Sequence, residues 1–116
     1  MNKNEIEING EVYIKTQSTN EMKYVIVRTY SAGVFAGYLE SFSVDMKLVT
    51  LVNARRLWYW DGASSLSQLA MEGVKRPENC KFPCEVYKVT LTEAIEVIYC
   101  TEEARINIAN VPIWEQ

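Results

Sequence analysis

The sequence contains no histidine, and this absence excludes more functions than any other feature of the chain. Without imidazole there is no Ser-His-Asp or Cys-His nucleophile pair, no histidine-based zinc site and no imidazole acid–base catalysis. Carboxylates remain, but only Asp45 and Asp61 accompany 13 glutamates, most of which lie in runs typical of solvated faces. We therefore expect no catalytic residues and a protein that is not an enzyme.

Cysteine is scarce as well, with three residues, Cys80, Cys84 and Cys100. Cys80 and Cys84 form a pair, but a second pair that would complete a tetrahedral metal site is missing. We expect small buried thiols in a reducing compartment, and neither a metal nor a cofactor.

Long hydrophobic runs and an apolar signal sequence are also missing. No segment approaches the roughly 18–20 apolar residues that span a membrane, which predicts a soluble intracellular protein. The net charge is −3, which argues against a protein that coats DNA or RNA by bulk charge. A small anion in a local pocket is compatible with it.

What is present predicts a single α+β domain over residues 1–116, because 116 residues supply one hydrophobic core. Asn9-Gly10 between alternating apolar residues predicts a hairpin, and residues 16–21 read as a polar loop. β-branched and aromatic segments predict further strands at 23–30, 34–43, 48–60 (with a candidate break at Asn53-Ala54), 86–91 and 94–100. We expect a mostly antiparallel sheet of about six strands with two short helices on one side.

Both helices carry end signals. Ser65 and Gln68 have the spacing of a capping box, and Gly73 can end this helix in the left-handed region. Thr101 is expected to cap a second helix, which Asn110 and Pro112 end.

The alternation of residues 53–60 does not give one apolar inner face and one polar outer face, as a simple half-buried strand would. Alternation places a guanidinium beside aromatic rings on both faces, with Arg55, Leu57 and Tyr59 on one and Arg56, Trp58 and Trp60 on the other. Either one face enters the core and the other is plain surface, or the second face is an oligomer interface or a ligand wall. Both interpretations stay open.

Four other places offer ligand chemistry beside an ordinary structural explanation. Arg28 precedes the turn Ser31-Ala32-Gly33, whose amides could form an anion nest, although Arg28 could equally be a surface residue. Gly37 lies inside a strand, which indicates a bulge or a close backbone approach. Phe82, on a proline-stiffened loop, could clamp a base or plug the core. Arg105 could bind a phosphate or lie on a solvated helix face.

Two blocks of the sequence carry a resemblance. They are the segment from Ala54 to Ala70, ARRLWYWDGASSLSQLA, followed by Gly73 and Cys80-Lys81-Phe82-Pro83, and the segment from Tyr24 to Leu39, YVIVRTYSAGVFAGYL. Together they resemble the first-described type of Thoeris anti-defence phage proteins, over about residues 24–100.

This resemblance implies a sponge that acts in the cytoplasm of the infected bacterial host. Such a protein binds the cyclic ADP-ribose isomers that TIR-domain enzymes make and holds them intact, so that the defence effector is not activated. It also implies a homo-oligomer, either a dimer or a hexamer, with cyclic oligonucleotides at separate sites in some members.

For a dianionic pyrophosphate with an adenine, we assign the ligand-binding residues by chemistry. The phosphate candidates are Arg28, Arg55, Arg56 and Arg105, and the stacking candidates are Trp58, Trp60 and Phe82. Ser31 belongs to the candidate anion nest, and Gly33 and Gly37 permit close backbone approach. Two alternatives remain: a phosphodiesterase-like enzyme that destroys the signal, and a protein–protein inhibitor of a host defence enzyme.

Overall fold

Alternating apolar and β-branched residues form a seven-stranded antiparallel sheet. The computed structural model describes residues 5–8, 11–15 and 22–115. The strands are β1 (Glu5–Ile8), β2 (Glu11–Lys15), β3 (Tyr24–Thr29), β4 (Val34–Ser43), β5 (Val49–Arg56), β6 (Val86–Leu91) and β7 (Ala94–Tyr99). Two helices, α1 (Leu66–Glu72) and α2 (Glu102–Ala109), complete the α+β fold, with a 3-10 turn at Pro77–Asn79 between α1 and β6.

Strand β4 is the centre of the sheet. It pairs with β5 along one edge, and on the other edge it pairs first with β3 and then with β2. Strand β7 adds to β3, β6 adds to β5, and β1 adds to β2. The order across residues 22–115 is therefore β6-β5-β4-β3-β7.

The sheet is rolled rather than open. Only Thr92 and Glu93 separate β6 from β7, yet these strands lie at opposite edges of that order. Two residues cannot cross a flat five-stranded sheet, because neighbouring strands lie about 4.8 Å apart. The edges must therefore approach each other at this corner, where the Glu93 carbonyl accepts the N–H of Tyr30 at 3.0 Å.

Each face of the sheet has its own apolar core. On one face both helices pack, and Leu69, Ala104 and Ile108 are fully buried there. On the other face, which no described helix covers, Val27 and Leu51 pack within the curve of the rolled sheet. The prediction of two helices on one side of the sheet is confirmed.

The helix caps were partly predicted. Ser65 accepts the amide of Gln68 at 3.1 Å and Thr101 accepts that of Ala104 at 3.1 Å, so both N-caps are confirmed. The capping box is wrong in its second half, because the Gln68 side chain accepts from the N–H and hydroxyl of Ser64. Gly73 ends α1 with φ +79°.

The strand predictions need two corrections. Residues 22–115 contain five strands rather than six, and the pair β1–β2 adds two more. The pairing of β1 with β2 confirms the predicted hairpin strands, whereas its turn, Asn9-Gly10, and the predicted loop 16–21 lie outside the described residues. The predicted strand 48–60 ends at Arg56.

A bulge in β5 resolves the ambiguous faces of residues 53–60. Ala36 pairs with Arg55 and Tyr38 pairs with Val52, so Asn53 and Ala54 together oppose Gly37. Asn53 adopts φ +49°, and a Cβ on Gly37 would lie 2.9 Å from the Cα of Ala54. The bulge or close approach predicted at Gly37 is confirmed, whereas the break predicted at Asn53-Ala54 is a bulge within the continuous strand Val49–Arg56. The extra residue reverses the alternation, so that Arg55 turns toward the helices.

Candidate functional site

Arg55 is buried, with 2% of its surface exposed, and its guanidinium is enclosed by main-chain carbonyls. Nε donates to Pro83 O at 3.1 Å, Nη1 donates to Ile108 O at 3.0 Å and to Val111 O at 2.7 Å, and Nη2 donates to Phe82 O at 2.7 Å. Burial lowers the pKa of Arg55 from its usual value, and the carbonyl end of α2 offsets this because it carries partial negative charge. The prediction that Arg55 binds a phosphate is corrected, since its donors are already used.

Phe82 lies directly against this cage. Its ring is completely buried, and its centroid is 5.5 Å from the guanidinium carbon of Arg55. A stacking platform needs an exposed ring face, which Phe82 lacks. The prediction of a Phe82 clamp is therefore wrong, and the alternative of a core plug is confirmed.

Arg28, Ser31 and Gly33 lie together at the turn between β3 and β4, where acidic residues face them. Arg28 pairs with Glu96 at 3.0 Å, with both side chains more than 40% exposed. The Ser31 hydroxyl donates to Glu93 at 2.8 Å. The N–H of Ala32 donates to the Thr29 hydroxyl. These internal bonds weaken the anion-nest interpretation of the turn, since an anion would compete with two carboxylates.

Arg56 and Trp58 point outward beside this turn. The guanidinium of Arg56 lies 4.5 Å from the centroid of the Phe35 ring, and Trp58 is 64% exposed. The N–H of Leu57 donates to Val34 O, which continues the β4–β5 register and places Trp58 opposite Gly33. The structure thus brings five of the predicted residues, Arg28, Ser31, Gly33, Arg56 and Trp58, to one end of the sheet.

Arg105 is separate from that group. It lies on α2, where it pairs with Glu102 and donates to the Tyr38 hydroxyl at 3.1 Å. The Glu102 carboxylate raises the pKa of Arg105 and is itself held as an anion, since Arg105 lowers the pKa of Glu102. Gly37, inside the bulge, is buried and contacts the backbone of its own chain.

A cleft of about 400 Å³ lies beside Trp60, the remaining predicted residue. Trp60 is half-buried against the core and forms one wall. The other lining residues come from the turn after Trp60, from α1 and from the segment after α1: Asp61, Gly62, Ala63, Ser64, Gln68, Lys75 and Arg76. This volume falls within the usual range for small-ligand sites, although the cleft is shallow and open to solvent rather than enclosed.

Lys75 and Arg76 are the residues of this cleft that the sequence analysis missed. Asn107 of α2 fixes the preceding residue, because its side chain accepts the N–H of Val74 at 2.8 Å and donates to Val74 O at 2.9 Å. Lys75 is exposed and forms no ion pair within residues 22–115. The sequence signal that could have identified them is that Lys75 and Arg76 form an adjacent basic pair directly after the predicted end of a helix.

Asp61 balances one of these two positive charges. Arg76 donates to Asp61 Oδ1 from Nε at 2.8 Å, and Asn79 donates to Oδ2 at 3.0 Å. These two hydrogen bonds lower the pKa of Asp61, so the carboxylate stays ionised and is poorly suited to acid–base catalysis. The cleft therefore combines an indole wall with a net positive charge.

This ion pair predicts a pH-dependent stability difference. Because the folded-state pKa of Asp61 is depressed, its stabilisation is present above the unfolded value of about 3.9 and is lost as pH falls through the folded value. We expect Asp61→Asn to lower the free energy of unfolding at pH 7. The difference in this free energy between the variant and the unmodified protein should become smaller below about pH 4. Urea denaturation at pH 7 and pH 3 measures this difference in the free energy of unfolding.

Glu78→Gln is the control, because it makes the same charge change on an exposed side chain of the same segment. It should leave the free energy of unfolding nearly unchanged. If the difference between Asp61→Asn and the unmodified protein does not change with pH, the ionised Asp61 carboxylate is not the source of the stabilisation.

The cysteine thiols are the remaining candidates for chemistry, and one of them, Cys80, borders the cleft through its contact with Asp61. Cys80 is buried, Cys100 is half-buried and Cys84 is exposed, so the prediction of buried thiols is wrong for Cys84. Burial raises the pKa of Cys100 to about 12.

Among the described residues, no three metal-ligating side chains cluster. No helix in the described part of the chain is long and apolar enough to cross a membrane.

Comparison with known proteins adds a family. Residues 22–108 match the family described as a domain of unknown function, DUF6948. The chain belongs to this family. The DUF6948 match includes the cleft and all ten predicted site residues, and it ends before the C-terminal segment that contributes Val111 to the Arg55 cage. No curated protein and no solved structure matches the chain significantly.

Proposed function

We propose that this DUF6948 protein binds cyclic ADP-ribose-type nucleotides and holds them without cleaving them, so that a TIR-derived signal cannot activate its effector. The resemblance of residues 24–100 to Thoeris anti-defence proteins supports this role, with action in the cytoplasm of an infected bacterium and a homo-oligomeric assembly. The observation that carries the proposal is the cleft in which Trp60 lies beside Lys75 and Arg76.

The chemistry of the cleft fits such a ligand. An adenine can stack on the indole of Trp60, which is worth about 1–3 kcal/mol per base. A pyrophosphate can accept charge-assisted bonds from Lys75 and Arg76, each worth about 1.5–3 kcal/mol. The single carboxylate, Asp61, is held by Arg76 and Asn79. These groups favour binding over hydrolysis.

The deciding experiment mixes the purified protein with cyclic ADP-ribose isomers, filters the mixture and analyses the filtrate by HPLC before and after heating the protein. We expect one isomer to be depleted and then recovered intact on heating. Recovery of linear ADP-ribose would show an enzyme, and no depletion of any isomer would show that these nucleotides are not ligands. Either result would overturn the proposal.

A matched pair of tryptophan variants locates the site. Trp60→Ala should weaken nucleotide binding about 10- to 100-fold, as the loss of one stacked base predicts. Trp58→Ala, on the outward surface, should change binding less than about twofold. Isothermal titration calorimetry with the depleted isomer measures both, and circular dichroism verifies folding. Equal losses in the two variants would contradict a site at the cleft.

A second candidate function is inhibition of a host protein. Trp58 is 64% and Tyr59 50% exposed, next to the exposed Arg56, and tryptophan, tyrosine and arginine are the side chains most enriched at interface hot spots. If this surface acts instead of the cleft, Trp58→Ala should abolish anti-defence activity in infected cells while Trp60→Ala should not.

A further inference from the structure

The carbonyl of Phe82 is shared between two distant parts of the chain. It accepts Nη2 of Arg55 at 2.7 Å and the backbone N–H of Trp114 at 3.0 Å. The carbonyls of Val111 and Pro112 accept other donors of the same guanidinium, at 2.7 and 3.5 Å. The C-terminal segment, residues 110–115, is thus fastened to the loop at 82–83 through one buried side chain.

The loop is in turn paired with the segment that forms the cleft wall. The N–H of Trp58 donates to Lys81 O at 3.1 Å, and the N–H of Lys81 donates to Tyr59 O at 2.8 Å. One residue further, the amide of Asp61 donates to the Cys80 sulfur at 3.4 Å. Trp60 lies inside this run of hydrogen bonds, so the position of its indole depends on residues 80–83.

The C-terminal segment also reaches the same loop from outside. The ammonium of Lys81 lies 5.5 Å from the centroid of the Trp114 ring and 6.0 Å from that of Tyr59. Lys81 therefore contacts the C-terminal segment through its side chain, and it contacts residues 58–59 through both its side chain and its backbone.

We propose that Arg55 is a positioning residue, which couples the C-terminal segment to the Trp60 cleft by clamping both sides of the loop at residues 80–83. When the segment is released, the loop loses two of its ties, and the segment from Trp58 to Asp61, which carries the cleft residues Trp60 and Asp61, loosens. The C-terminal segment thereby controls how well the cleft is organised, although none of its residues lines it.

Hydrogen exchange tests the coupling in the free protein. Trp114→Ala removes the ring from Lys81 without leaving a buried donor, and Arg55→Lys keeps the charge but supplies fewer donors. We expect Arg55→Lys to accelerate amide exchange about tenfold or more, and Trp114→Ala about fivefold, at residues 57–62 as well as 109–115. Ile113→Ala is the matched control, because Ile113 is 57% exposed and lies beside Trp114; it should leave residues 57–62 unchanged.

The affinity measurement rests on the proposed function. Trp114→Ala should weaken nucleotide binding about fivefold or more, the lower range of coupling between sites, and Ile113→Ala should not. Faster exchange confined to residues 109–115, or an equal effect of Ile113→Ala on residues 57–62, would overturn the coupling. If the unmodified protein binds no nucleotide, the proposed function fails, and the exchange measurement alone decides whether the segments are coupled.

Discussion

Arg55→Met should lower the free energy of unfolding by about 2–4 kcal/mol, the largest loss we expect from a substitution that keeps side-chain volume. Methionine fills similar space but donates no hydrogen bond. The Val111 and Pro83 carbonyls then lose donors in a buried environment, and each such orphaned group costs about 1–3 kcal/mol. Replacing buried ion pairs by apolar residues is often neutral because both charges leave together, whereas here the acceptors stay. In a domain of this size the loss corresponds to a melting temperature about 10–20 °C lower.

Arg56→Met is the control for this prediction. Arg56 is adjacent in sequence but exposed, and its cation–π contact with Phe35 is worth about 1 kcal/mol at most at such a site. Differential scanning calorimetry and urea denaturation compare the two variants. If both arginines prove equally dispensable, the carbonyl cage is not a principal source of stability.

Gly62→Ala should be about as damaging as Arg55→Met, through a clash between backbones. Gly62 has φ +99°, and a Cβ there would overlap the amide nitrogen of Lys75 and lie 2.8 Å from that of Arg76. A side chain at positive φ costs about 1–2 kcal/mol, and the collision adds about 1–3 kcal/mol because the backbone has no alternative rotamer. We expect a total loss of about 2–5 kcal/mol, together with a distorted cleft.

Gly33→Ala separates the two contributions. Gly33 has a similar φ of +92°, but nothing lies within 4 Å of its virtual Cβ. It should lose only the conformational part, about 1–2 kcal/mol. Chemical denaturation of the Gly62→Ala and Gly33→Ala variants measures the difference between their losses in free energy of unfolding. Equal losses would show that the approach of Gly62 to the Lys75 segment contributes nothing.

Local sequence signals predicted most of the fold. Ser65 and Thr101 were recognisable as caps because their hydroxyls act within three residues, and Asn53-Ala54 was recognisable as an irregularity, although it is a bulge in the strand and not a break. What the sequence could not supply is which strands meet at a distance. The pairing of β7 with β3 and the resulting roll of the sheet depend on contacts almost 70 residues apart.

In the candidate site, too, local sequence signals predicted some features, and contacts between distant residues determine the others. Trp60 was a candidate from composition alone, but Lys75 and Arg76 reach it only because Asn107 of α2 holds the chain after α1. Arg55 and Phe82 were misassigned because an arginine in an aromatic-rich strand and a phenylalanine beside a proline look the same in sequence whether they lie on the surface or in the core. Only the bulge at Asn53, which reverses the direction of Arg55, decides between these positions.

The topology of the sheet also bears on how the chain reaches its folded state. Strands β3, β4 and β5 follow one another with short connections, so they can associate early, whereas β7 must travel from the far end of the chain to cover β3. Until it docks, the edge of β3 exposes unpaired amides, flanked by Val25, Ile26 and Val27, which are fully buried in the finished fold. Such an edge is a template for association with other chains. The interval before β7 arrives is therefore the stage at which newly made protein is most exposed to aggregation, and conditions that shorten it favour soluble yield.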